Sequence, residues 1–454
     1  MSTARMSTGQ LRSHDVAGPD GPTGGGTALL TDHYELTMVR GALHSGVAHR
    51  RAVFEVFARH LPNGRRYGVV AGAGRLLDAL AAFRFGDAEL AFLERAGIAD
   101  RLTLDYLSSY RFSGNIWGYA EGDCYFPGSP ILVVEGTFAE AVVLETLVLS
   151  ILNHDCAIAS AASRMVSAAG GRPIIEMGSR RTHERAAVAA ARAAYIAGFA
   201  TTSNLRAGFD YGLPTSGTSA HAFTLLHDSE EQGFAAQIAA LGETTTLLVD
   251  TYDVPTAVKT AVRVAGPNLG AVRIDSGDLP VVAGEVRAQL DSLGATKTRI
   301  VLTGDLDEYS IAGLAAVPVD GYGVGTSLVT GSGAPTAALV YKLVAREDPQ
   351  RPGELMPVAK RSVGKPSKGG RKWAARQLDE AGVAQSELVA EQPAFGERAR
   401  PLLQPLVSDG SPVATENLGA ARDRHQRALA ELPAHARQLS RGYPAIPTIF
   451  DPDS

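Results

Sequence analysis

Polar side chains that could do acid, base or ligand chemistry follow seven short apolar runs in the second half of the chain. One such end would mean little, because aspartate and glycine are common in turns between strands and helices, as caps or as residues with positive φ. Seven ends of this kind favour a polar pocket at the carboxyl ends of parallel strands. The seven ends are residues 178–181, 203–204, 218–221, 250–253, 275–278, 304–305 and 323–327.

A histidine and two pairs of aspartates are the sharpest candidates for catalysis among these ends. His221 stands among small residues, where an imidazole could act as a nucleophile or as an acid and base. A histidine in isolation is more often a satisfied core or surface residue. Asp250 and Asp253, like Asp275 and Asp278, are three residues apart. Such pairs can hold Mg²⁺, bind ribose hydroxyls or cap helices, and the spacing leaves these alternatives equal.

A glycine-rich turn and several cations point to an anionic ligand. The run 323–327 reads Gly-Val-Gly-Thr-Ser and follows the last apolar run, where α/β barrels often bind phosphate with backbone N–H groups. The alternative is a tight turn with Thr326 as a helix cap. Arg180, Arg273 and the basic run 360–372 add cations, which suggests a ligand with more than one phosphate. In isolation, a basic run is more often solvated surface.

The elements that must position these groups alternate between short strands and helices. Alanine-rich helical segments, such as 255–264 and 279–293, separate the apolar runs. Strand, turn and helix in repetition imply right-handed βαβ units and a parallel sheet. We therefore predict an α/β barrel, with five clear strands and two weaker ones. The clear strands are 173–176, 246–249, 271–274, 299–302 and 321–324, and the weaker ones are 197–202 and 213–219.

The 454 residues are too many for one hydrophobic core. Changes in composition and in the strand and helix patterns along the chain predict four segments. Residues 1–26 are rich in glycine and polar residues and are predicted to be a disordered tail, in which Met6 is an alternative start to Met1. Residues 27–152 mix strand and helix patterns, as an α+β domain does. Residues 153–345 form the barrel, and residues 346–454 complete the first domain.

Composition excludes several classes of protein. A net charge of −5 provides no cationic field for nucleic acid. The only cysteines, Cys124 and Cys156, are too few for a disulfide framework and are predicted to be buried thiols in a reducing, cytoplasmic compartment. The longest apolar stretch, 138–152, contains Glu140 and Glu145 and is predicted to fall short of a membrane span. No metal cage is expected from the protein side chains.

Six ordered motifs resemble the nicotinate phosphoribosyltransferase family. The resemblance runs from about residue 28 to residue 372, and little after residue 372 can be assigned. The motifs are LTDHYELTM (30–38), FEVFARHLP (54–62), GSRR (178–181), GTSAH (217–221), VRIDSGD (272–278) and YGVGT (322–326).

The resemblance implies a fold and a reaction. The fold is an irregular α/β barrel of the type II phosphoribosyltransferase kind, packed on an α+β domain formed by both chain ends. The implied partners are nicotinate, 5-phosphoribosyl 1-pyrophosphate and ATP, and the product is nicotinate mononucleotide for NAD biosynthesis. ATP hydrolysis is coupled through a phosphohistidine, and Mg²⁺ bridges phosphates. The implied assembly is a head-to-tail homodimer with shared active sites.

The resemblance also implies roles for individual residues. Catalysis would involve His221, which is phosphorylated, with Asp250 and Asp275. Residues implied in substrate binding are Tyr34 from the neighbouring subunit, Met177, Arg180, Asn204, Arg273 and Asp278. Residues implied in binding of phosphate groups are Arg59, Gly304, Asp305, Gly323, Gly325, Thr326, Lys360, Lys365 and Lys372.

Two positions depart from relatives of this family. Met177 aligns with an aromatic platform, so the pyridine ring would stack on Tyr34 and touch a thioether on its other face. Ala220 stands where relatives that use nicotinamide carry an acidic residue beside the histidine. Asp250 is then expected to be the partner that orients the His221 imidazole.

Other functions compete with this interpretation. A nicotinamide phosphoribosyltransferase would share nearly every motif, but such relatives carry an aspartate where Asn204 aligns, and a neutral amide favours nicotinate. A quinolinate phosphoribosyltransferase is shorter and needs a more cationic pocket. A phosphate-binding protein with a decayed barrel is disfavoured because His221, Asp250 and Asp275 are present. No examined strand end offers a lysine for a Schiff-base lyase.

Overall fold

The computed structural model describes residues 26–360, 367–413 and 416–451. The predicted tail, apart from Gly26, and the predicted phosphate ligand Lys365 lie outside these ranges. A six-stranded sheet, parallel throughout, carries the polar ends found in the sequence. Its strands, in spatial order, are Thr201–Thr202, Ile174–Glu176, Gly321–Val324, Arg299–Leu302, Ala271–Ile274 and Thr246–Leu248.

The five clear strands of the sequence prediction are confirmed, and the two weaker ones differ from it. The run 197–202 contributes only Thr201–Thr202. The run 213–219 forms no strand and meets the sheet through one bridge between Thr202 and Thr215. Pro214 has no N–H to donate, which limits this run to isolated contacts. Within the described residues the two edge strands do not pair with each other, so the sheet is an open, curled half-barrel and not a near-complete one.

A seven-stranded sheet built from both chain ends forms the second layer of the molecule. Antiparallel pairing joins the N-terminal strand Arg51–Ala58 to the late strand Leu339–Asp348, and Asn115–Tyr119 to Leu403–Ser408. In spatial order the strands are Arg351–Pro357, Leu339–Asp348, Arg51–Ala58, Leu132–Thr137, Asn115–Tyr119, Leu403–Ser408 and Ser411–Pro412. The smaller sheets contain Ala399–Pro401, Trp373–Leu378, Ala384–Ala390 and Thr448–Phe450, and Gly68–Val69 with Cys124–Tyr125.

Helices cover both sheets, and those between the parallel strands match the predicted helical segments. The α-helices are His33–His44, Ala73–Ala81, Asp87–Arg95, Arg101–Ser108, Phe138–Val142, Glu145–Ala169, Glu184–Ile196, Leu205–Tyr211, His221–Leu226, Glu230–Leu241, Val254–Ala265, Leu279–Ser292, Glu308–Gly313, Thr326–Val329 and Leu418–Glu431. Short 3₁₀ turns span Ala28–Leu30, Pro62–Gly64 and Ala434–Arg437.

The long helix Glu145–Ala169 joins the two hydrophobic cores. Its residues up to Ala157 belong to the core of the antiparallel sheet, and those from Ile158 belong to the core of the parallel sheet. The apolar segment Phe138–Ala169 is long enough to cross a membrane, so the length argument made from sequence was wrong. However, 67% of its most apolar window is buried inside the protein, as expected for a core helix.

The C-terminal part of the chain serves both halves of the molecule. Its strands enter the seven-stranded sheet and form a mixed four-stranded sheet, whereas the helix Leu418–Glu431 packs against the barrel helix Glu184–Ile196. Arg422 ties the two helices together by donating to the carbonyl oxygen of Tyr195 at 3.0 Å. Residues 346–454 therefore do more than complete the N-terminal domain, and the proposed domain boundaries stay predictions.

Both cysteines are buried and free, as predicted. Burial raises the pKa of the Cys124 and Cys156 thiols. Raised thiol pKa values keep both side chains protonated and unreactive.

Candidate active site

The carboxyl ends of the parallel strands converge at one edge of the half-barrel, which we call the barrel mouth. Because the strands are parallel, the last residue of one strand lies beside the first residue of the loop that follows the adjacent strand. Thr303 donates its backbone N–H to Ile274 at 2.9 Å, and Met177 donates to Val324 at 2.8 Å. Residues separated by more than a hundred positions in the chain therefore meet at this edge.

Two aspartates of neighbouring strands are tied together at the barrel mouth. Oδ2 of Asp250 accepts hydrogen bonds from the backbone N–H of Asp275 at 2.9 Å and from the Ser276 hydroxyl at 2.6 Å. Asp275 in turn accepts a bond from the Thr303 hydroxyl on the next strand. The Oδ1 atom of Asp250 is buried and has no hydrogen-bond partner in the part of the chain that the structure describes. Asp250 thus braces the loop that carries Asp275.

His221 begins the short helix His221–Leu226, with 40% of its side chain exposed. Its Nδ1 lies 3.1 Å from the Thr251 hydroxyl, whereas Nε2 lies 3.9 Å from Oδ1 of Asp250. The hydrogen-bonded partner of the imidazole is therefore Thr251, whereas Asp250 lies at the longer distance of an ion pair. The orientation of the ring by Asp250 stays a prediction, and Thr251 is a site residue that sequence reasoning missed.

Arg273 is the partly buried cation of the barrel mouth. Its guanidinium donates to the Thr218 hydroxyl and, at 3.3 Å, to the carbonyl oxygen of Ser219, while its Nε has no partner among the described residues. Burial lowers the pKa of Arg273, the nearby carboxylates of Asp275 and Asp250 oppose this effect, and the charge of Arg180 adds to it. That the two arginines bind one anion stays a prediction. Arg180 itself is exposed.

Three polar residues at helix starts differ in how they are used. Asn204 caps the helix Leu205–Tyr211: its Oδ1 accepts from the backbone of Ala207 at 2.9 Å, and its amide donates to Ser179 at 2.9 Å. Asp253 caps its own helix through Thr256, so the capping alternative holds for that residue. Asp278 makes no capping bond and is exposed.

Glycines at the barrel mouth allow unusually close packing. Gly304 has a φ of 107°, and a Cβ built on it would lie 2.3 Å from the carbonyl oxygen of Asp275. A Cβ on Gly323 would lie 2.8 Å from the Met177 sulfur. Gly325 precedes the short helix Thr326–Val329, as the phosphate-loop pattern predicts. The exposed Asp305, with a φ of 44°, continues the Gly304 turn.

Two of the predicted site residues lie on the antiparallel part of the molecule. Tyr34 lies at the start of the helix His33–His44 and is 45% exposed. Desolvation and the nearby Glu145 raise the pKa of its phenol. Arg59 directly follows the strand Arg51–Ala58. Within the described residues, no hydrogen bond or ion pair joins either residue to the barrel mouth.

The basic run supplies fewer free cations than its sequence suggests. Lys360 is exposed and has a local backbone bond to Ser367. Lys372 is only 2% exposed, and its ammonium pairs with Glu55 at 2.9 Å and donates to the carbonyl of Gly370 at 3.0 Å. A buried, fully partnered ammonium cannot reach a ligand, so the assignment of Lys372 to phosphate binding is wrong.

Comparisons with known proteins agree on one family. The family model for the nicotinate phosphoribosyltransferase (NAPRTase) N-terminal domain matches residues 29–153. Nicotinate phosphoribosyltransferase pncB1 of Mycobacterium tuberculosis is 59% identical over 98% of both chains, and the Bacillus subtilis enzyme is 36% identical over 71% of this chain and 67% of its own.

Solved structures show the same fold. The human nicotinic acid phosphoribosyltransferase superposes with a TM-score of 0.80 at 25% identity, covering 93% of this chain and 98% of its own. A nicotinate-nucleotide pyrophosphorylase from Pyrococcus furiosus gives a TM-score of 0.74 at 23% identity, covering 93% of this chain and 99% of its own.

Proposed function

Because the chain belongs to the nicotinate phosphoribosyltransferase family, we propose that it joins nicotinate to 5-phosphoribosyl 1-pyrophosphate, giving nicotinate mononucleotide and pyrophosphate. The observation that carries this conclusion is the 59% sequence identity to the mycobacterial enzyme, which extends over 98% of both chains. The product is a precursor for NAD biosynthesis.

The reaction forms a bond from the pyridine nitrogen to the anomeric carbon while the bond from that carbon to pyrophosphate breaks. Positive charge develops on the ribose ring and negative charge on the leaving group, so catalysis depends on positioning and electrostatics. Asp275 binds the ribose hydroxyls in this proposal. Support comes from its fixed backbone and from Oδ2, which accepts no hydrogen bond within the described residues.

The carboxylate of nicotinate is bound by Arg273 and Arg180. An arginine fork matches a carboxylate, and the unpartnered Nε of Arg273 is a donor in need of an acceptor. Asn204 adds a neutral amide that does not repel an anion. Met177 and Tyr34 contact the faces of the pyridine ring.

The 5′-phosphate lies against the turns at Gly304, Gly323 and Gly325, where the lack of side chains lets backbone N–H groups approach. Mg²⁺ neutralises charge on the pyrophosphate when it is bound. No group of three metal-ligating side chains occurs in the part of the chain that the structure describes, so phosphate oxygens would supply most ligands. The exposed carboxylates of Asp278 and Asp305 are the protein oxygens available to add to them.

ATP phosphorylates His221 in this proposal. An imidazole nitrogen attacks the γ-phosphorus, the bond to the bridging oxygen breaks, ADP leaves, and the ring loses a proton to water. Support comes from the exposure of the ring, its anchoring by Thr251, and the Asp250 carboxylate that can stabilise a cationic ring. Arg59, Lys360 and Lys365, which lies outside the described residues, are the remaining candidates for contacts to the ATP phosphates.

Replacement of His221 tests the coupling. The His221→Ala protein should keep slow transfer of the phosphoribosyl group but lose its stimulation by ATP. Incubation with ATP labelled at the γ-phosphate should leave acid-labile phosphate on the wild type only. Label on the variant would show that another residue is phosphorylated.

The enzyme works as a homodimer in which Tyr34 completes the neighbour's site. Large apolar side chains are exposed on two short helices that begin at the barrel mouth. Such exposed apolar surface is typical of an interface with another subunit. Phe209 is 82% exposed, and Leu205, Leu225 and Leu226 are also exposed. Tyr34 is half exposed and, among the described residues, makes no hydrogen bond with its own barrel mouth that would explain its family motif.

Complementation between subunits tests this shared site. The Tyr34→Ala and Asp275→Ala proteins should each be nearly inactive. After subunit exchange, mixed dimers contain one intact site, so part of the activity should return. Verified mixed dimers without activity would remove the shared-site proposal.

Substrate choice is the direct test of the function. Product formation should be measured with nicotinate, nicotinamide and quinolinate, each with and without ATP. Nicotinate with ATP should give the largest kcat/KM. A preference for nicotinamide would identify a nicotinamide phosphoribosyltransferase, which is the second candidate from sequence.

A further inference from the structure

Glu176 is a buried carboxylate at the barrel mouth that the mechanism above does not use. It ends the strand Ile174–Glu176 and has no exposed surface. It forms no ion pair with any described residue, and its partners are the backbone N–H of Gly178 and the hydroxyl of Thr202. Burial raises the pKa of this carboxyl. Since burial of a carboxylate without a cation is costly, a role beyond packing is expected.

The partners of Glu176 close a cycle of hydrogen bonds across two strands. Gly178 donates to one carboxylate oxygen and is followed in the chain by Ser179, whose hydroxyl accepts from the side-chain amide of Asn204 at 2.9 Å. The backbone N–H of Asn204 donates to Thr202 at 2.9 Å, and Thr202 donates to the other oxygen of Glu176. Each member of the cycle therefore fixes the next.

The cycle borders the groups assigned to nicotinate. Arg180 follows Ser179 directly, and the Arg181 backbone N–H closes the turn onto the Gly178 carbonyl at 2.8 Å. A Cβ on Gly178 would lie 2.2 Å from a methyl group of Val329, so the turn cannot shift toward the phosphate loop. On the other strand, the Asn204 amide is fixed by its two bonds, to Ala207 and Ser179.

We propose that Glu176 is a positioning residue for nicotinate: through the cycle it holds the turn that carries Arg180 in register with the amide of Asn204. This inference rests on the proposed function of the site. A long, exposed arginine has many conformations, so the placement of its guanidinium depends on the backbone turn beneath it. Loss of the cycle should therefore weaken binding of nicotinate more than binding of 5-phosphoribosyl 1-pyrophosphate.

Glu176→Gln is the sharpest test because it keeps the volume of the side chain while removing its charge and one acceptor. A glutamine either turns its NH₂ group toward the Gly178 N–H, which loses that bond, or donates to the Thr202 oxygen, which forces the Thr202 hydroxyl to turn its own proton away. Either orientation removes the charge-assisted hydrogen bonds that hold the cycle. The KM for nicotinate should rise about 10-fold, as expected for a lost hydrogen bond to a charged group, while the KM for 5-phosphoribosyl 1-pyrophosphate stays within about twofold.

Thr202→Val breaks the same cycle at a second point without changing side-chain shape. Its effect on the nicotinate KM should resemble that of Glu176→Gln. Because both changes break one unit, the double variant should be no worse than about twofold beyond the larger single effect. Additive losses would show that the residues act independently and would overturn the proposal.

A buried glutamate elsewhere provides the matched control. Glu387 is also fully buried, but it pairs with Arg376 in the small C-terminal sheet. Glu387→Gln should lower the melting temperature without changing the ratio of the two KM values. If Glu176→Gln behaves in the same way, Glu176 is structural only. A wild type that forms no nicotinate mononucleotide would instead defeat the proposed function itself.

Discussion

Arginines and carboxylates are arranged in opposite ways in two regions of this molecule. A buried ion cluster ties the small C-terminal sheet to the helix Leu418–Glu431 and to the N-terminal part of the chain. Its members are Arg376, Asp123, Glu387, Arg400 and Glu431. At the barrel mouth, by contrast, Arg180 is exposed and Oδ1 of Asp250 is buried without a hydrogen bond.

The difference lies in which charges are already neutralised. Within the buried ion cluster, Arg376 meets Glu387 at 2.6 Å and Asp123 at 3.3 Å. Charges that are paired in this way hold segments of the chain together, but because they are neutralised they bind a charged ligand only weakly. At the barrel mouth the hydrogen-bond partners of Arg273 and His221 are neutral, namely Thr218 and Thr251, and His221 meets Asp250 only at 3.9 Å. These groups are therefore less completely neutralised and remain able to bind charged substrates.

Removal of Arg376 should have the largest effect on stability. Arg376→Met leaves the Glu387 carboxylate buried without a cation and leaves Asp123 with Arg400 alone, which should cost about 3 to 5 kcal/mol of unfolding free energy. Urea denaturation measures this loss. The exposed pair of Arg263 with Glu231 provides the control, because Arg263→Met should leave the unfolding free energy nearly unchanged. Similar costs for both variants would erase the contrast between buried and exposed pairs.

Asp275→Asn should show the reverse pattern, with activity lost and stability kept. The asparagine oxygen can still accept from Thr303, but the charge facing the ribose is removed. We expect kcat to fall about 10²- to 10³-fold, as when one electrostatic group is removed from an active site. Asp253→Asn is the control, because asparagine also caps helices and should retain near-normal activity. Equal losses in both variants would contradict the special role of Asp275.

Asn204→Asp tests whether the charge balance at the barrel mouth sets substrate choice. An aspartate keeps the helix cap to Ala207 but places a negative charge near the substrate carboxylate. The kcat/KM for nicotinate should fall about 5- to 150-fold more than that for nicotinamide, from a penalty of about 1 to 3 kcal/mol. Steady-state kinetics with both substrates measures the ratio. Equal losses would refute this placement of Asn204.

His425 should give the smallest effect, visible only as a dependence of stability on pH. It is buried beside the ion cluster, where its ring contacts the Gly122 carbonyl and the Ser163 hydroxyl. Burial lowers the pKa of His425, so the folded state keeps the ring neutral while the unfolded chain binds a proton below about pH 6.5. The contribution of the neutral His425 ring to the unfolding free energy is complete above that pH. It is lost as pH falls, by up to about 1.4 kcal/mol per pH unit.

In the His425→Gln protein the unfolded chain cannot bind a proton at this position. Its unfolding free energy, followed by urea denaturation between pH 7 and pH 5, should fall less steeply than that of the wild type. The stability difference between the two proteins should therefore shrink as the solution becomes more acidic. Parallel curves would show that His425 does not contribute to the pH dependence.

Local pattern was enough to find the parallel strands and the polar residues at their ends. Strands such as Ala271–Ile274 and Arg299–Leu302 appear at the predicted residues, because apolar runs between turn residues depend on neighbouring positions only. The weak strand 213–219 failed for a local reason as well, since Pro214 cannot donate to a ladder. The ordered motifs identified the family for the same reason: they are properties of short segments.

Pairings between distant side chains were decided by the tertiary structure alone. The sequence did not indicate a partner for His221 on the next residue, but strand register brings Thr251 to the ring and directs Asp250 toward Asp275 and Ser276. Lys372 is part of a basic run and was expected to be available, yet tertiary packing places Glu55 against it. Contacts between residues far apart in the chain decide which charges are neutralised and which remain available to a substrate. These contacts form only when the sheets assemble, so the sequence pattern does not show them.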